Sequence, residues 1–344
     1  MLLGYNDTMQ EQLEPDTPRL AQGEISFVSR IIESTYGQQI SSLEPILLTP
    51  TRRIFKALGT EKPLVVRTFL PESDNESVHD ITANLLFLEQ KSFPAERIVK
   101  TKDGTPIDTS ESWHTLITTF IDGRPIPSTP EAFYQLGETL GKLHTLDYRS
   151  ANPPVPTSKL LPKREVTYAL SELTPVRDKV PDPLQARYNF IESALQKLPD
   201  CEDLPKVFIH SDCHPGNGVQ TADGAIVLYD WQDAGLGPAV IDLAYLLLSC
   251  DRMAPWLPQS SFTGNDPWPE ERIKAIVEGY KQHHQLNATE IERLPDALRF
   301  RSLIFGAVNF ANIVTGKTNS DESLWWWKRY TASEDIAQQA TRYL

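Results

Sequence analysis

The sequence predicts an α+β fold made of two units, with a small antiparallel β-sheet in the first and mainly helices in the second. Short runs of β-branched and aromatic residues, separated by turn residues, recur through residues 23–122. Apolar residues at helical spacing dominate residues 123–344. A chain of 344 residues also exceeds what one hydrophobic core usually serves. We therefore expect an N-terminal lobe over residues 23–122 and a larger C-terminal lobe over residues 123–344.

The first lobe is expected to follow a polar lead-in of residues 1–22. Apolar residues at roughly helical spacing predict helices over Glu24–Thr35 and Val78–Gln90. Runs rich in β-branched and aromatic residues predict strands over Pro45–Thr49, Arg53–Leu58, Pro63–Leu70, Arg97–Thr101 and Trp113–Ile121. We expect these strands to form one sheet joined by turns.

The second lobe is predicted to begin with a helix over Pro130–Thr145, whose apolar side chains share one face. Strands are predicted at Lys206–His210 and Ala225–Tyr229, on either side of the most polar motif of the chain. Further helices are predicted around Arg164–Leu173, Leu184–Leu198, Val240–Ser249, Glu270–His284 and Ala288–Val314, and at the C-terminus.

Composition disfavours several classes of function. The formal net charge is −13 and no run of Lys and Arg occurs, so neither nucleic acid nor an anionic membrane surface is an expected partner. Cys201, Cys213 and Cys250 form no C-x-x-C pair, which argues against a disulfide framework and a structural zinc site. No stretch of about eighteen uninterrupted apolar residues and no signal peptide is recognisable. We expect a soluble, cytoplasmic protein whose oligomeric state the sequence leaves open.

The most informative segment is the run HSDCHPGN at residues 210–217, which Asp230 follows on the next predicted strand. Apolar runs precede both, so Asp212, Asn217 and Asp230 lie at strand ends, where a rigid scaffold presents side chains accurately. Amide and carboxylate oxygens are ligands that Mg²⁺ prefers, and Mg²⁺ takes its remaining ligands from water and phosphates. The segment therefore predicts phosphoryl-transfer chemistry.

This pattern resembles the catalytic loop of protein kinases, His-x-Asp-x-x-x-x-Asn, with a further Asp on a following strand. By that resemblance Asp212 is the catalytic base, which orients the acceptor hydroxyl and takes its proton. Asn217 and Asp230 are implied to bind Mg²⁺, and His210 to order the loop backbone by hydrogen bonding rather than to contact substrate.

The wider sequence is similar to the aminoglycoside phosphotransferase and choline kinase group of small-molecule kinases. HSDCHPGN resembles that family's HGDLHPGN, and residues 229–244 resemble its Asp-Trp-Glu…Gly-Pro…Asp-Leu-Ala pattern. Leu136–His144 resembles the helix that follows the nucleotide hinge. The likeness covers most of the chain. It implies a two-lobe, protein-kinase-like fold in which Asp242 braces the catalytic loop.

The resemblance also indicates nucleotide-binding residues, although no G-x-G-x-x-G motif is present. Arg67 occupies the place of a strand Lys or Arg that contacts the phosphates, and its guanidinium can bind them bidentately. Thr51 lies in the first turn, where hydroxyl and backbone N–H groups can contact phosphates. Thr119 and Ile121 belong to the hinge, whose main-chain groups are implied to bind adenine.

The same pattern calls for an acidic partner of Arg67 on the following helix. The expected position falls near Ile81, which cannot serve, so Asp80 and Glu89 are the remaining candidates.

Together these residues predict a kinase that binds ATP between its lobes with Mg²⁺ and transfers the γ-phosphoryl group to a small-molecule hydroxyl. Antibiotics, choline-like amines, amino-acid alcohols and sugars are all open as acceptors, and the acidic net charge is compatible with a cationic one. Asp233, Asp251–Trp268 and Trp325–Trp327 are candidate acceptor residues, although aromatic residues at helix ends more often belong to a core.

Two alternatives from other classes remain. One is a nucleotide-binding regulator of the same fold without catalysis, suggested by the missing glycine motif and by the uncertain acidic partner of Arg67. The other is a metal-dependent hydrolase that uses His210, Asp212 and His214 as ligands. The hydrolase is the weaker alternative, because no other pair of His has a common ligand spacing. His214 has no assigned role in the kinase interpretation.

Overall fold

The computed structural model describes residues 17–49, 51–59, 62–109, 113–250, 268–318 and 322–344. These residues form two compact units. The first unit consists of residues up to Ile126 together with Asp147–Pro156 and Pro215–Asp233, and the second contains Pro127–Leu146, Thr157–His214 and Ala234–Leu344. This division differs from the single boundary expected between residues 122 and 123, because two later segments join the first unit.

The first unit contains a five-stranded antiparallel sheet. Its strands are β1 (Ser42–Leu48), β2 (Arg52–Leu58), β3 (Leu64–Phe69), β4 (Ile98–Val99) and β5 (His114–Thr119). Their order in the sheet is β1-β2-β3-β5-β4. Each corresponds to one predicted strand, so the predicted antiparallel sheet is confirmed.

Helix α1 (Thr17–Ser34) shares a hydrophobic core with this sheet. Its Val28 and Ile31 are buried in one cluster with Phe55 and Val66 of the strands. The helix begins at Thr17 rather than at Glu24, so residues 17–22 of the predicted lead-in are helical. Apolar spacing marks only the buried part of a helix, which is why the sequence missed its polar start. Residues 1–16 of the lead-in lie outside the described residues.

Helix α2 (Pro71–Gln90) also begins earlier than the predicted Val78. Proline suits the first helical position because its fixed φ matches the helix and its missing N–H is not needed there. Buried side chains such as Leu85 and Leu88 account for the correctly predicted remainder of the helix.

The remaining strands are short. They are β6 (Arg124–Pro125), β7 (Lys206–Ile209), β8 (Gly218–Gln220), β9 (Ile226–Leu228) and β10 (Gly235–Pro238). Within the first unit, β8 pairs with both β6 and β9, and this pairing ties residues 215–233 to that unit. Within the second unit, β7 pairs with β10 in antiparallel orientation.

The helices of the second unit pack around a central apolar helix. They are α3 (Pro130–His144), α4 (Pro162–Leu173), α5 (Gln185–Lys197), α6 (Ala239–Leu248), α7 (Glu270–Tyr280), α8 (Ala288–Glu292), α9 (Leu294–Val314) and α10 (Glu322–Thr341). The central helix is α9, which contacts α4, α5, α6 and α10. The predicted helix Ala288–Val314 is therefore two helices, and Pro295 in the first turn of α9 marks the break.

Helix α9 is the one described helix that is long and apolar enough to cross a membrane by length and composition, and 56% of the relevant window is buried inside the protein. Buried residues such as Leu298, Leu303 and Phe310 point to its use as a core helix, and the contacts with four other helices support that use.

Helices α3 and α7 approach each other closely at glycines. A Cβ atom on Gly137 would lie 2.1 Å from the carbonyl oxygen of Ile276, and one on Gly279 would lie 2.1 Å from that of Tyr134. No side chain fits in that space, so the backbones are in direct contact and the two helices are fixed in one relative position.

We expect Gly137→Ala to lower the free energy of unfolding by about 1–3 kcal/mol, because an added methyl group overpacks the contact and forces the helices apart. Gly306→Ala is the matched control, since a Cβ there would lie no closer than 3.7 Å to its nearest neighbour, the Cβ of Trp326. The control should be neutral or stabilising, because alanine favours helix by about 1 kcal/mol over glycine. Chemical denaturation followed by tryptophan fluorescence measures both, and equal effects would contradict the close-contact account.

Candidate active site

The loop from His210 to Asn217 follows β7, and hydrogen bonds to the side chain of Asp242 hold its first two residues. This carboxylate is fully buried in the first turn of α6. It accepts hydrogen bonds from the backbone N–H of His210 at 2.7 Å and of Ser211 at 2.9 Å. Two adjacent N–H groups on one carboxylate fix the direction in which the loop leaves the strand.

Asp242 is itself held by a buried chain of polar side chains. His144 Nε2 lies 3.2 Å from Asp242 Oδ2, and His144 Nδ1 lies 2.8 Å from the hydroxyl of Tyr280. Burial raises the pKa of Tyr280 well above its usual value, as do Glu290 and Asp242, so its O–H stays protonated and can donate to Nδ1. His144 Nε2–H can then donate to Asp242. In the sequence His144 is only the last residue of the motif Leu136–His144, and nothing there indicates its contact with Asp242.

The residue that precedes the predicted base has an unusual backbone. Ser211 has φ 73°, in the left-handed region that glycine adopts most easily. The similar family has Gly at this position. Here the Ser211 hydroxyl is hydrogen-bonded to that of Ser158 at 2.5 Å, and its carbonyl accepts from Nη2 of Arg301. These contacts with Ser158 and Arg301 therefore stabilise a backbone conformation that serine rarely adopts.

The carboxylate of Asp212 is about 30% exposed and lies among cationic and imidazole groups. His214 Nε2 lies 3.6 Å from Oδ2, and Arg301 Nη2 lies 3.9 Å from Oδ1. Burial alone would raise the pKa of Asp212, but His214, Arg301 and His210 together hold the pKa below its usual range. Asp212 is therefore ionised at neutral pH.

His214 is expected to be neutral at the same pH. Burial lowers its pKa, and the neighbouring Asp212 offsets only part of that effect. Its ring meets Tyr245 edge to face, with 5.8 Å between ring centroids. Across the described residues, no group of three His, Cys, Asp or Glu side chains is arranged to hold a metal ion.

Asn217 and Asp230 lie at the same end of the β8–β9 hairpin in the first unit. Asn217 ends a 3₁₀ turn immediately before β8, and Asp230 follows β9 by two residues. Gly218 pairs with Leu228 in register, and the backbone N–H of Tyr229 donates to the carbonyl of Asn217 at 3.0 Å. The hairpin thus brings an amide side chain and a carboxylate to one edge, which is the donor set expected for Mg²⁺.

Helix α2 anchors the segment that follows Asp230. The buried side-chain amide of Asn84 donates to the carbonyl of Trp231 at 3.1 Å, and the Trp231 ring meets Phe93 edge to face. Arg52, at the start of β2, donates to the side chain of Gln232. These contacts of Asn84 and Arg52 could not be predicted from the sequence, because no motif indicates them.

Arg67 is paired with an acid that the sequence analysis did not consider. Its Nη1 lies 2.9 Å and its Nη2 3.1 Å from the two oxygens of Glu96, and Thr118 donates to Glu96 at 2.6 Å. The expectation of Asp80 or Glu89 was wrong. Glu96 comes after helix α2, in the connection to β4, and the pairing of β4 with β5 brings it beside Thr118.

The other predicted nucleotide-binding residues lie in the same unit. The carbonyl of Thr51, in the turn between β1 and β2, accepts from the N–H of Leu70 at 2.9 Å. The N–H of Thr119 donates to the carbonyl of Arg97 at 2.8 Å. The hinge position Ile121 lies beyond the end of β5 and is half-buried.

A sequence profile described as the phosphotransferase enzyme family, APH, matches residues 51–285. The chain belongs to this family. A curated relative, the amicoumacin kinase of Bacillus subtilis (strain 168), is 27% identical over 183 residues, which are 52% of this chain and 50% of that protein. The chain therefore matches only about half the length of that relative.

Solved structures of three kinases show the same fold. An amicoumacin kinase, hAmiN, in complex with AMP-PNP, Ca²⁺ and Ami is 17% identical, with a TM-score of 0.67 over 92% of this chain and 95% of that one. A choline kinase from Cryptosporidium parvum Iowa II is 15% identical, with a TM-score of 0.62 over 94% and 96%. A spectinomycin phosphotransferase in complex with ADP is 18% identical, with a TM-score of 0.60 over 93% and 98%. The predicted α+β, protein-kinase-like fold is confirmed.

We expect Glu96→Gln to lower the free energy of unfolding by roughly 3 kcal/mol, because it leaves the guanidinium of Arg67 without its buried counter-charge. Glu89→Gln is the matched control, since Glu89 is exposed near the end of α2 and should change stability by no more than about 0.5 kcal/mol. Denaturant titration of both variants tests the pairing. A loss in Glu96→Gln as small as in the control would contradict it.

Proposed function

We propose that this protein is a kinase that transfers the γ-phosphoryl group of ATP to a hydroxyl of a small molecule. The proposal is carried by the loop from His210 to Asn217, which Asp242 anchors and in which Asp212 is ionised at neutral pH. Membership of a phosphotransferase family supports it. AMP-PNP, an ATP analogue, is bound in the similar amicoumacin kinase and supports ATP as the donor.

Asp212 is proposed to hold the acceptor hydroxyl by accepting its hydrogen bond and to take its proton as the new bond forms. A carboxylate with a lowered pKa is a weak base, so orientation of the hydroxyl is its larger contribution. This suits phosphoryl transfer, in which positioning and charge stabilisation supply most of the catalysis. Asp242 and the Ser211 carbonyl contact keep the loop in place while the proton moves.

Asn217 and Asp230 are proposed to hold Mg²⁺ through an amide and a carboxylate oxygen. The common end of the β8–β9 hairpin supports this assignment, because both positions lie at one edge of one rigid element. When bound, Mg²⁺ would neutralise charge on the nucleotide phosphates. Asp230 has φ 69°, a conformation that Asp and Asn tolerate better than most residues.

Arg67 is proposed to contact a nucleotide phosphate, with Thr51 as a second phosphate contact and the main chain of Thr119 and Ile121 as the adenine contact. The pairing with Glu96 changes the expected mode for Arg67. Glu96 and Thr118 occupy three of its N–H groups, so the guanidinium cannot offer both Nη atoms to a phosphate. The second N–H of Nη2 and the N–H of Nε lie on one edge of the guanidinium, and we propose that the bidentate contact with phosphate uses these two groups.

Catalysis is preferred to the regulator alternative. That alternative depended in part on a missing acidic partner for Arg67, and Glu96 now provides one. For the acceptor we propose a small hydroxyl compound, and the net charge of −13 favours one that carries an amine. Choline kinase and spectinomycin phosphotransferase among the similar structures point to the same range of compounds. The cytoplasm, which supplies ATP, is the proposed location.

Asp212→Asn should lower turnover by about a hundredfold or more, because it removes the charge that orients and deprotonates the acceptor. Nucleotide affinity should stay unchanged, since no proposed metal ligand is lost. ADP release with the best compound from a panel of choline-like amines, amino-alcohols, aminoglycosides and sugars measures turnover. Asp178→Asn, an exposed change in the same unit, is the control. Equal turnover in the two variants would refute the role of Asp212.

Asp230→Asn should weaken binding of Mg²⁺-ATP by at least about tenfold, since losing even an outer partner of a metal ligand commonly costs about 10–100-fold. Asn is preferred to Ala because it tolerates φ 69° and keeps the shape of the side chain. Calorimetric titration with Mg²⁺ and a non-hydrolysable ATP analogue measures the change. The control is Asp103→Asn, which lies in an exposed turn of the same unit. Wild-type affinity in Asp230→Asn would contradict the metal assignment.

A further inference from the structure

Arg301 is a charged side chain buried in the centre of the second unit. It lies on α9 and is 1% exposed. Its guanidinium carbon lies 4.8 Å from the centroid of the Tyr245 ring and 5.6 Å from that of Phe305. Arginine keeps its charge in proteins, and removing that charge from water is costly unless anions or hydrogen-bond acceptors compensate. Its burial therefore requires specific partners.

The partners of Arg301 lie on the catalytic loop and on α4. Nη2 donates a hydrogen bond to the carbonyl oxygen of Ser211 and lies 3.9 Å from Oδ1 of Asp212. Nη1 lies 3.7 Å from a carboxylate oxygen of Glu165. Nε is buried without a hydrogen-bond partner. The charge of Arg301 therefore faces two carboxylates, one on α4 and one on the loop.

The hydrogen bond to Ser211 acts at a loop residue whose backbone lies in the left-handed region. Ser211 has φ 73°, and a non-glycine residue in that region costs of order 1 kcal/mol unless its surroundings hold it. The Ser211 carbonyl belongs to the peptide plane whose other end is the N–H of Asp212. Fixing that carbonyl therefore fixes the orientation of the Asp212 backbone, from which its carboxylate projects.

We propose that Arg301 is a positioning residue for phosphoryl transfer, which holds the Ser211–Asp212 peptide plane and the Asp212 carboxylate in the orientation that the acceptor hydroxyl requires. This inference rests on the proposed function. Arg301 touches neither nucleotide nor acceptor in this account and acts only through Asp212. Among the described residues that lower the pKa of Asp212, His214 and His210 lie on the loop itself, whereas Arg301 comes from a separate helix.

Loss of Arg301 would change two interactions at once. The Ser211 carbonyl would lose its donor, and Asp212 and Glu165 would lose the cation that lies between them. The carboxylate of Asp212 would then be free to rotate toward other donors. A misplacement of about 1 Å in a reacting group can lower a rate by about a hundredfold. We therefore expect loss of Arg301 to lower kcat and to leave nucleotide affinity unchanged.

Kinetics of Arg301→Met and Arg301→Lys test the proposal. Arg301→Met should lower kcat by about tenfold to a hundredfold, with the KM for ATP and the affinity for a non-hydrolysable analogue unchanged. Arg301→Lys should recover part of kcat, because it keeps the charge but not the planar fork. The control is Arg299→Met, two positions away on α9, whose partners Asp296 and Glu334 lie at the surface. The control should keep wild-type kcat.

A double-mutant cycle separates positioning from general structural support. If Arg301 acts through Asp212, adding Arg301→Met to Asp212→Asn should lower the residual turnover by less than about twofold. Equal losses in both backgrounds, or a wild-type kcat in Arg301→Met, would overturn the proposal. Should Arg301→Met fail to fold, as judged by thermal unfolding and nucleotide binding, the same cycle with Arg301→Lys decides the matter by the same criterion.

The same measurements separate a failure of the proposed role of Arg301 from a failure of the proposed function. If the wild-type protein transfers phosphoryl groups and Asp212→Asn does not, the proposed function stands whatever Arg301 does. Absence of transfer by the wild-type protein with every acceptor would instead remove the function itself.

Discussion

The hydrogen bonds that the buried carboxylate of Asp242 accepts are the interactions on which the loop from His210 to Asn217 depends. This carboxylate accepts two consecutive backbone N–H groups of the loop and a third hydrogen bond from His144, which Tyr280 holds in turn. Each of these donors would otherwise be buried without a partner, at a cost of roughly 1–3 kcal/mol. Strand β7 brings the loop to this carboxylate, and the glycine contact between α3 and α7 fixes the helices that carry His144 and Tyr280.

Charge pairing organises each unit in a similar way. In the second unit Arg301 faces Asp212 and Glu165, and in the first unit Arg67 faces Glu96. In both cases a guanidinium that cannot lose its proton lies within 4 Å of a carboxylate oxygen. The pairs differ in directness: Arg67 holds Glu96 with two contacts near 3 Å, whereas Arg301 approaches Asp212 no closer than 3.9 Å.

The sequence predicted the elements that have a clear period and the residues that sit in a motif. The strands of the main sheet and most helices were recovered, because alternating or helical apolar spacing follows directly from burial on one face. The glycine-containing strands β8 and β10 were missed, since three or four residues with small side chains carry no such spacing. The polar first turns of α1 and α2 were missed because they lack apolar residues at helical spacing.

Contacts between distant parts of the chain could not be predicted from the sequence. Glu96 could not be predicted as the partner of Arg67, because it lies after helix α2 and the pairing of β4 with β5 determines which acid reaches Arg67. Arg301 lies in an apolar helix with no motif around it, and only the packing of α9 brings it to the loop. Asp212, Asn217 and Asp230 could be proposed as site residues because their spacing along the chain is itself the signal.

Phosphorus NMR of the protein with ATP and Mg²⁺ tests the central claim most directly. With a panel of hydroxyl compounds, the account predicts that the γ-phosphorus signal of ATP disappears while signals of ADP and of a new phosphomonoester appear. The phosphomonoester should be absent when the acceptor hydroxyl is replaced by hydrogen. Unchanged ATP with every compound, or release of inorganic phosphate alone regardless of the acceptor, would contradict transfer to a small-molecule hydroxyl.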